Sequence, residues 1–130
     1  MSAPVETIRI SRQGREQLIK LRRQTGIEHW NVLCRWAFCV SLREKTAPLP
    51  TTEKLDGGVE MTWKVFSGEH GDIYSALCWL RAQKDGFPEG ADGVAACLRA
   101  HLHRGLSYLA SGKETRTLSD LATRWLGIDR

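Results

Sequence analysis

Long apolar runs are missing from this sequence of 130 residues. No stretch approaches the ~18 consecutive apolar residues that a membrane-spanning helix needs, and the first residues lack the pattern of a signal peptide. We therefore expect a cytoplasmic protein with no membrane partner. The length predicts a single domain that is large enough to bury a core and small enough to be helped by oligomerisation.

Cysteines are few, and none of them forms a CxxC pair. The four are Cys34, Cys39, Cys78 and Cys97, each within an apolar helical pattern. Zinc sites and disulfide frameworks usually show tighter or denser spacing, so we predict buried, reduced thiols. A zinc or iron–sulfur site shared between subunits is the alternative that remains open.

Catalytic signatures are also absent: there is no phosphate-binding glycine loop, nucleophile elbow or paired-carboxylate motif. His70, between Glu69 and Gly71, is interpreted as a loop residue ahead of a helix. Cys97 and His101 are four residues apart and can face one metal ion from a helix, but two ligands do not make a site. We predict no enzymatic activity, no metal and no cofactor.

What the sequence does contain is a short strand followed by a basic helix. Residues 6–11 alternate, with Ile8 and Ile10 on one side, which predicts a half-buried strand. Ser11 can cap the helix that follows, and Gly26 can end it in the left-handed conformation. Its buried side is predicted at Gly14, Leu18, Leu21 and Thr25.

Positive charge covers the other side of this helix. Five cations spread over about 160° of the helical wheel, and no acidic residue interrupts them. Because the planar arginine fork fits phosphate oxygens, and the net charge is +4, we predict that they bind an external polyanion, such as a nucleic-acid backbone. With Arg9 from the strand, the predicted DNA-binding residues are Arg9, Arg12, Arg15, Lys20, Arg22 and Arg23. A merely solvated surface is the alternative.

The second predicted helix, at about residues 28–43, is apolar around most of its circumference. Its polar stripe is limited to Glu28, Asn31 and Arg35, so it must be covered on several sides. A chain this short has few elements for that purpose, which predicts self-association. Strand-helix-helix units that dimerise through their strands are known to bind DNA, and they suggest sequence-specific repression as a further hypothesis.

The predicted fold is mainly α: a small helical domain with one or two short β-strands, opening as a ribbon-helix-helix-like strand-helix-helix. One domain is expected over residues 1–130. It divides into the strand-helix-helix basic region (1–45), a linker (46–58) and a strand plus helices (59–130). Residues 59–66 alternate and are predicted as a strand or extended segment. Helices are predicted at about 72–84 and 92–110, and again after Ser119.

Positions within these later helices are also predicted. Ile73, Leu77 and Leu80 should face inward, and Gly105 should be a weak point of its helix. A secondary polar or weakly basic surface is expected from Arg99, His101, His103, Arg104 and Lys113. The tryptophans are predicted to lie in the core or a subunit interface, with stacking on a frayed nucleic-acid end as the alternative.

Two stretches of the chain resemble the DndE family. One runs from the strand through the basic helix to residues 31–37 (Asn-Val-Leu-Cys-Arg-Trp-Ala), and the other is residues 59–69. That family belongs to the bacterial DNA phosphorothioation system, which replaces a non-bridging phosphate oxygen of DNA with sulfur. The resemblance implies a helical, homotetrameric subunit that binds duplex DNA, with nicked duplex preferred. It implies partners that include a sulfur-transfer iron–sulfur protein and an ATPase-like protein.

Two functional hypotheses follow from residues and resemblance together. In the first, the chain is a DNA-binding, non-catalytic subunit of the phosphorothioation complex. In the second, it is a protein–protein adaptor of the same complex, whose basic helix face docks an acidic partner and touches DNA only incidentally.

Overall fold

The computed structural model describes residues 3–51 and 54–111 of the chain. The elements are β1 (Thr7–Ile10), α1 (Arg12–Thr25), α2 (Trp30–Arg43), β2 (Val59–Thr62), α3 (Trp63–Ser67), a 3₁₀ turn (Gly68–His70), α4 (Gly71–Lys84) and α5 (Ala91–Ser111). The predicted mainly α fold that opens with a strand and two helices is confirmed. Within these residues, no helix combines the length and apolarity that crossing a membrane requires.

The two strands form one antiparallel sheet, in which Arg9 lies opposite Glu60 and Ile10 opposite Val59. The predicted alternation of β1 is confirmed, since Ile8 and Ile10 are buried while Thr7 and Arg9 are exposed. Pairing of β1 with a second copy of the same strand belongs to the repression hypothesis. The structure shows β2 of the same chain as its partner instead, because the segment after the linker folds back beside β1.

Helix α1 begins and ends where the sequence predicts. The Ser11 hydroxyl accepts a hydrogen bond from the Gly14 backbone N–H at 3.0 Å, and Gly26 ends the helix with φ +76°. The side facing the core is the predicted one: Gly14, Leu18, Leu21 and Thr25 are buried. Local capping and helical periodicity therefore account for this element completely.

Helix α2 packs along α5 at the centre of the core. Phe38 of α2 and three leucines of α5 are fully buried there: Leu102, Leu106 and Leu109. Gly105 lies against the backbone carbonyl of Ala37, and a Cβ at this position would collide with it. The predicted weak point of α5 is therefore a place where the backbones of α2 and α5 approach each other closely.

The prediction of a continuous strand over residues 59–66 is wrong in its second half. The strand ends at Thr62, whose hydroxyl accepts a hydrogen bond from the Val65 N–H at 3.1 Å and caps α3. A threonine in an alternating pattern can extend a strand or start a helix. Here the capping interaction determines the outcome.

Helix α4 presents only part of the predicted face to the core, since Leu77 packs against the core as expected. Ile73 and Leu80 were expected to lie inward, but they are 59% and 57% exposed. The buried residues are Ser75, Cys78 and Ala82. The small side chains at these positions let α4 pack close to its neighbours. The larger apolar side chains of Ile73 and Leu80 are left on the surface.

The cysteines are all free thiols; Cys34, Cys78 and Cys97 are buried, and Cys39 is partly exposed. Burial raises the pKa of Cys34 to about 12, so it stays protonated at neutral pH. Four of the tryptophans pack against the core while remaining partly exposed: Trp30, Trp36, Trp63 and Trp79. The predicted helix after Ser119, with Trp125, and the predicted surface residue Lys113 lie outside the described residues.

Candidate nucleic-acid interface

The six residues predicted to bind DNA are all exposed. Arg9 extends from the outward side of β1, and the other five extend from the solvent side of α1, opposite its buried residues. We call this set the basic face: Arg9, Arg12, Arg15, Lys20, Arg22 and Arg23. Its position follows from the strand alternation and the helical period that also bury the opposite side.

One member of the basic face has an acidic partner. Arg9 Nε lies 3.0 Å from Glu60 Oε1 across the two-stranded sheet, and both side chains are well exposed. An exposed pair of this kind contributes little to stability, so a competing phosphate can displace the carboxylate at small cost. Within the described part of the chain, the five cations of α1 form no ion pair.

Three of these cations contact other elements of the chain. Lys20 Nζ donates a hydrogen bond to the Ala110 carbonyl at 2.7 Å, which ties α1 to the end of α5. The guanidinium of Arg12 lies against Gly57, in the turn before β2. The guanidinium carbon of Arg22 lies 5.3 Å from the centre of the Trp30 ring.

Arg15 and Arg23 lack such contacts in the described structure, so their charge is the most available to a ligand. No single side chain on this face is buried or strained. What distinguishes the basic face is that several charges of one sign lie along one helix. An extended polyanion binds to such an arrangement.

A second polar cluster, invisible in the sequence, lies inside the protein. Ser41 Oγ is 2.8 Å from His101 Nδ1, and His101 Nε2 is 2.8 Å from Asp85 Oδ2. Arg104 donates to Ser41 Oγ at 2.9 Å, and Arg81 donates to the Leu42 carbonyl at 2.7 Å. We call these five residues the buried network: Ser41, Arg81, Asp85, His101 and Arg104. It joins α2, α5 and the end of α4.

The order Ser41–His101–Asp85 has the connectivity of a hydrolytic triad, but the environment does not suit catalysis. Ser41 and His101 have no solvent-accessible surface, so a substrate cannot reach the hydroxyl oxygen without opening the core. That oxygen also accepts a hydrogen bond from Arg104. The arrangement therefore fits a structural role: it satisfies buried polar groups where three helices meet.

Burial lowers the pKa of His101 to about 4. The charges of Arg81 and Arg104 act in the same direction, and the hydrogen bond to Asp85 opposes them. His101 is consequently neutral at pH 7, which matches a ring that donates to Asp85 through Nε2 and accepts from Ser41 at Nδ1.

Three donor atoms close enough to share a metal ion belong to Asp85, Cys97 and His101, and they lie within 4.8 Å of one another. Metal binding requires the thiolate. Burial, followed by the Asp85 charge, raises the pKa of Cys97 to about 12. Arg81 also donates to Asp85. This donor set fits a protonated hydrogen-bond network better than a cation site.

The predicted secondary basic surface on α5 does not form as expected. His101 is buried, and Arg104 Nη2 donates to the Ser41 carbonyl at 2.8 Å. His103 Nε2 accepts from the Ser11 N–H at 3.1 Å. These side chains hold α5 against α2 and the start of α1, because they face neighbouring elements rather than solvent.

Comparison with known proteins identifies the group to which this arrangement belongs. The family model described as DNA sulphur modification protein DndE matches residues 7–117, most of the chain. The chain belongs to the DndE family. It therefore has a role in the DNA phosphorothioation system, as the resemblance in the sequence implies.

A solved member of the DndE family shares the fold. The crystal structure of DndE from Escherichia coli B7A, described as involved in DNA phosphorothioation modification, superposes with a TM-score of 0.70. The two sequences are 24% identical, and the similarity covers 83% of this chain and 98% of that chain. No curated protein matches the chain. The basic face and the buried network of this DndE-family chain both fall within the matched residues.

The sequence indicated only part of this picture. The basic face could be predicted because its residues are close in the chain and follow one helical period. The buried network could not, since Ser41, Asp85 and His101 are separated by long stretches. The local signals were the spacing of four residues between Arg81 and Asp85 and between Cys97 and His101, and neither points to Ser41.

Proposed function

We propose that this chain is a DNA-binding, non-catalytic subunit of the phosphorothioation complex that holds the phosphates of duplex DNA on its basic face. The observation that supports this most directly is that five exposed cations on α1 have no acidic partner among the described residues. Cations arranged in this way gain most from an external polyanion, because binding releases the counterions condensed on DNA.

A non-catalytic role agrees with the placement of reactive groups. The triad-like serine and histidine are inside the core, and the thiols of Cys34 and Cys97 are held protonated by burial. The side chains of the basic face offer charge and hydrogen-bond donors. Donors of this kind position a DNA backbone but do not read its sequence.

We extend the proposal to nicked duplex as the preferred substrate and to a cytoplasmic homotetramer as the active form. A duplex interrupted at one strand bends at lower cost than an intact one, so it can follow a basic surface assembled from several subunits. Linking several weak sites also raises the overall affinity without new contacts. The exposed apolar side of α4 offers surface for such self-association.

Charge reversal at Arg15 and Arg23 tests the basic face. Both side chains are exposed, and neither forms a hydrogen bond or ion pair within the described structure, so Arg15→Glu with Arg23→Glu should leave the fold intact. We expect duplex binding at least tenfold weaker, since charge-assisted hydrogen bonds contribute about 1.5–3 kcal/mol each. The slope of log K against log salt should flatten by about 2. Fluorescence anisotropy over a salt series measures both quantities.

The matched control is Lys64→Glu with Lys84→Glu, which changes the net charge equally at two exposed positions outside the basic face. Its binding should fall much less than that of the Arg15 and Arg23 variant. Equal losses in the two variants would show that only total charge matters, and the basic face would then have no special role.

The adaptor function is the second candidate, and a specific observation favours it. Ile73 and Leu80 are exposed on α4, and Tyr74 of the same helix lines a groove with Val32 and Trp36. Such a surface suits a protein partner that contacts it in addition to docking an acidic region on the basic face. The sulfur-transfer iron–sulfur protein and the ATPase-like protein are the candidates. If the adaptor function is correct, the Arg15 and Arg23 variant will lose a partner protein in copurification, while intact chain will bind DNA negligibly even at low salt.

A further inference from the structure

A surface cleft of about 300 Å³ lies where the end of α1, the start of α2 and β2 meet. We call it the Trp30 cleft; the residues that matter here are Arg22, His29, Trp30, Asn31, Glu60 and Met61. It adjoins the basic face directly, because Arg22 belongs to both. The phosphate contacts proposed above do not need a cleft, so the Trp30 cleft is available for another part of the ligand.

The central feature of the Trp30 cleft is a stacked pair. The guanidinium carbon of Arg22 is 5.3 Å from the centre of the Trp30 indole, a separation at which the cation and the ring attract each other. Arg22 has no carboxylate partner among the described residues. The indole therefore orients the guanidinium. The other face of the guanidinium and its N–H edges remain available to a ligand.

The other walls combine apolar and polar groups. Met61 supplies an apolar contact. Glu60 Oε1 is paired with Arg9, and the second carboxylate oxygen of Glu60 can accept a hydrogen bond from a ligand. The Asn31 amide nitrogen donates to the Val65 carbonyl at 3.1 Å, which leaves its own amide oxygen as an acceptor. A planar heteroaromatic group with N–H donors on its edge matches this combination.

A phosphate alone fits the cleft poorly, because Glu28 and Glu60 line it and would repel an anion. A nucleobase fits better on three counts: it stacks on guanidinium or indole, it contacts Met61, and its amino group can donate to a carboxylate. Bases of an intact duplex are already stacked and paired. Only an unpaired base can enter.

We propose that the Trp30 cleft binds one unpaired nucleobase of a DNA strand whose phosphates lie on the basic face. This inference rests on the proposed DNA binding and adds a base-binding site to it. Any of the four bases can form the stacking contact, because every base has a π face. It distinguishes DNA with an accessible base from DNA without one.

The first test uses the unmodified protein and two duplexes that differ by one base. One duplex carries a single unpaired adenosine; the other carries an abasic residue at the same position. We expect about tenfold or greater preference for the adenosine duplex, the effect of stacking one base on an aromatic platform. Equal affinities for the two duplexes would overturn the proposal without any change to the protein.

The second test identifies the cleft. Trp30→Leu should abolish the preference for the unpaired adenosine, whereas Trp30→Phe should retain most of it because the aromatic face remains. Trp79→Leu makes the same substitution at another half-buried tryptophan outside the cleft, and it should leave the preference unchanged. Circular dichroism establishes that each variant is folded before binding is compared.

The outcomes separate this inference from the proposed function. Salt-sensitive binding of intact duplex together with equal affinity for adenosine and abasic duplexes would remove the base site and leave the basic face in place. A preference that persists in a folded Trp30→Leu variant would place the base elsewhere and also overturn the inference. If no DNA binds at low salt, both proposals fail.

Discussion

At the scale of single residues, His101 shows how a buried polar group can be tolerated without a catalytic purpose. Its two ring nitrogens form hydrogen bonds with Ser41 and Asp85, so both buried polar atoms are satisfied. Burial keeps the ring neutral, and the pKa falls to about 4. Protonation would place a third positive charge beside Arg81 and Arg104 in the core.

This pKa predicts how stability depends on pH. Well above pH 6.5, the ordinary pKa of histidine, the ring is neutral in both the folded and the unfolded chain. As the pH falls from 6.5 towards 4, the unfolded chain binds a proton that the folded chain cannot. The free energy of unfolding should therefore decrease by up to about 3 kcal/mol over this window. Urea unfolding at several pH values measures the decrease.

Variants at two histidines separate this contribution from general acid effects. His101→Gln should be less stable at pH 7 but should lose less further stability on acidification. His70→Gln, at an exposed position in the 3₁₀ turn, should follow the unmodified protein. An unchanged pH dependence in His101→Gln would show that the buried ring does not control it.

At the scale of elements, the difference between α1 and α4 explains how far sequence reasoning reaches. The ends and buried side of α1 were predictable because Ser11, Gly26 and the spacing of the apolar residues act within the helix itself. The inward face of α4 was not predictable in this way. Both Ile73 with Leu80 and Cys78 with its neighbours fit a helical period, so the pattern allows either face to be buried. Only the packing of neighbouring helices decides which face is buried.

The close crossing of α2 and α5 gives a prediction at this scale. Gly105→Ala would place a methyl group against the Ala37 carbonyl, and neither backbone can move without separating the two central helices. We expect a loss of about 1–3 kcal/mol in the free energy of unfolding, as for other overpacked cores. Thermal unfolding followed by circular dichroism gives the value.

Gly71→Ala is the matched control within another helix. Its added Cβ would lie 3.3 Å from Ser67 Oγ, a tight contact with a side chain that can adjust, and alanine favours the helical state over glycine. It should change stability far less than Gly105→Ala. If the two variants were equally stable, close approach of α2 and α5 would not be what Gly105 provides.

At the scale of the whole molecule, two kinds of surface stand out among the described residues. On the basic face, only Arg9 has an acidic partner in the part of the chain that the structure describes. The apolar side of α4 leaves the large side chains of Ile73 and Leu80 in solvent. The sequence predicted the first surface. It did not predict the second, because Ile73 and Leu80 were expected to be buried; self-association was predicted from the apolar circumference of α2 instead. We assign the first to DNA and the second to association with other subunits.

The measurement that tests the central claim most directly is the affinity of the full chain for a nicked duplex and for its intact counterpart over a range of salt concentrations. The account predicts binding that weakens steeply with salt, with a slope of about −0.9 for each phosphate held, and tighter binding of the nicked duplex. Binding that is absent at low salt, or that does not change with salt, would contradict the assignment of the basic face to DNA.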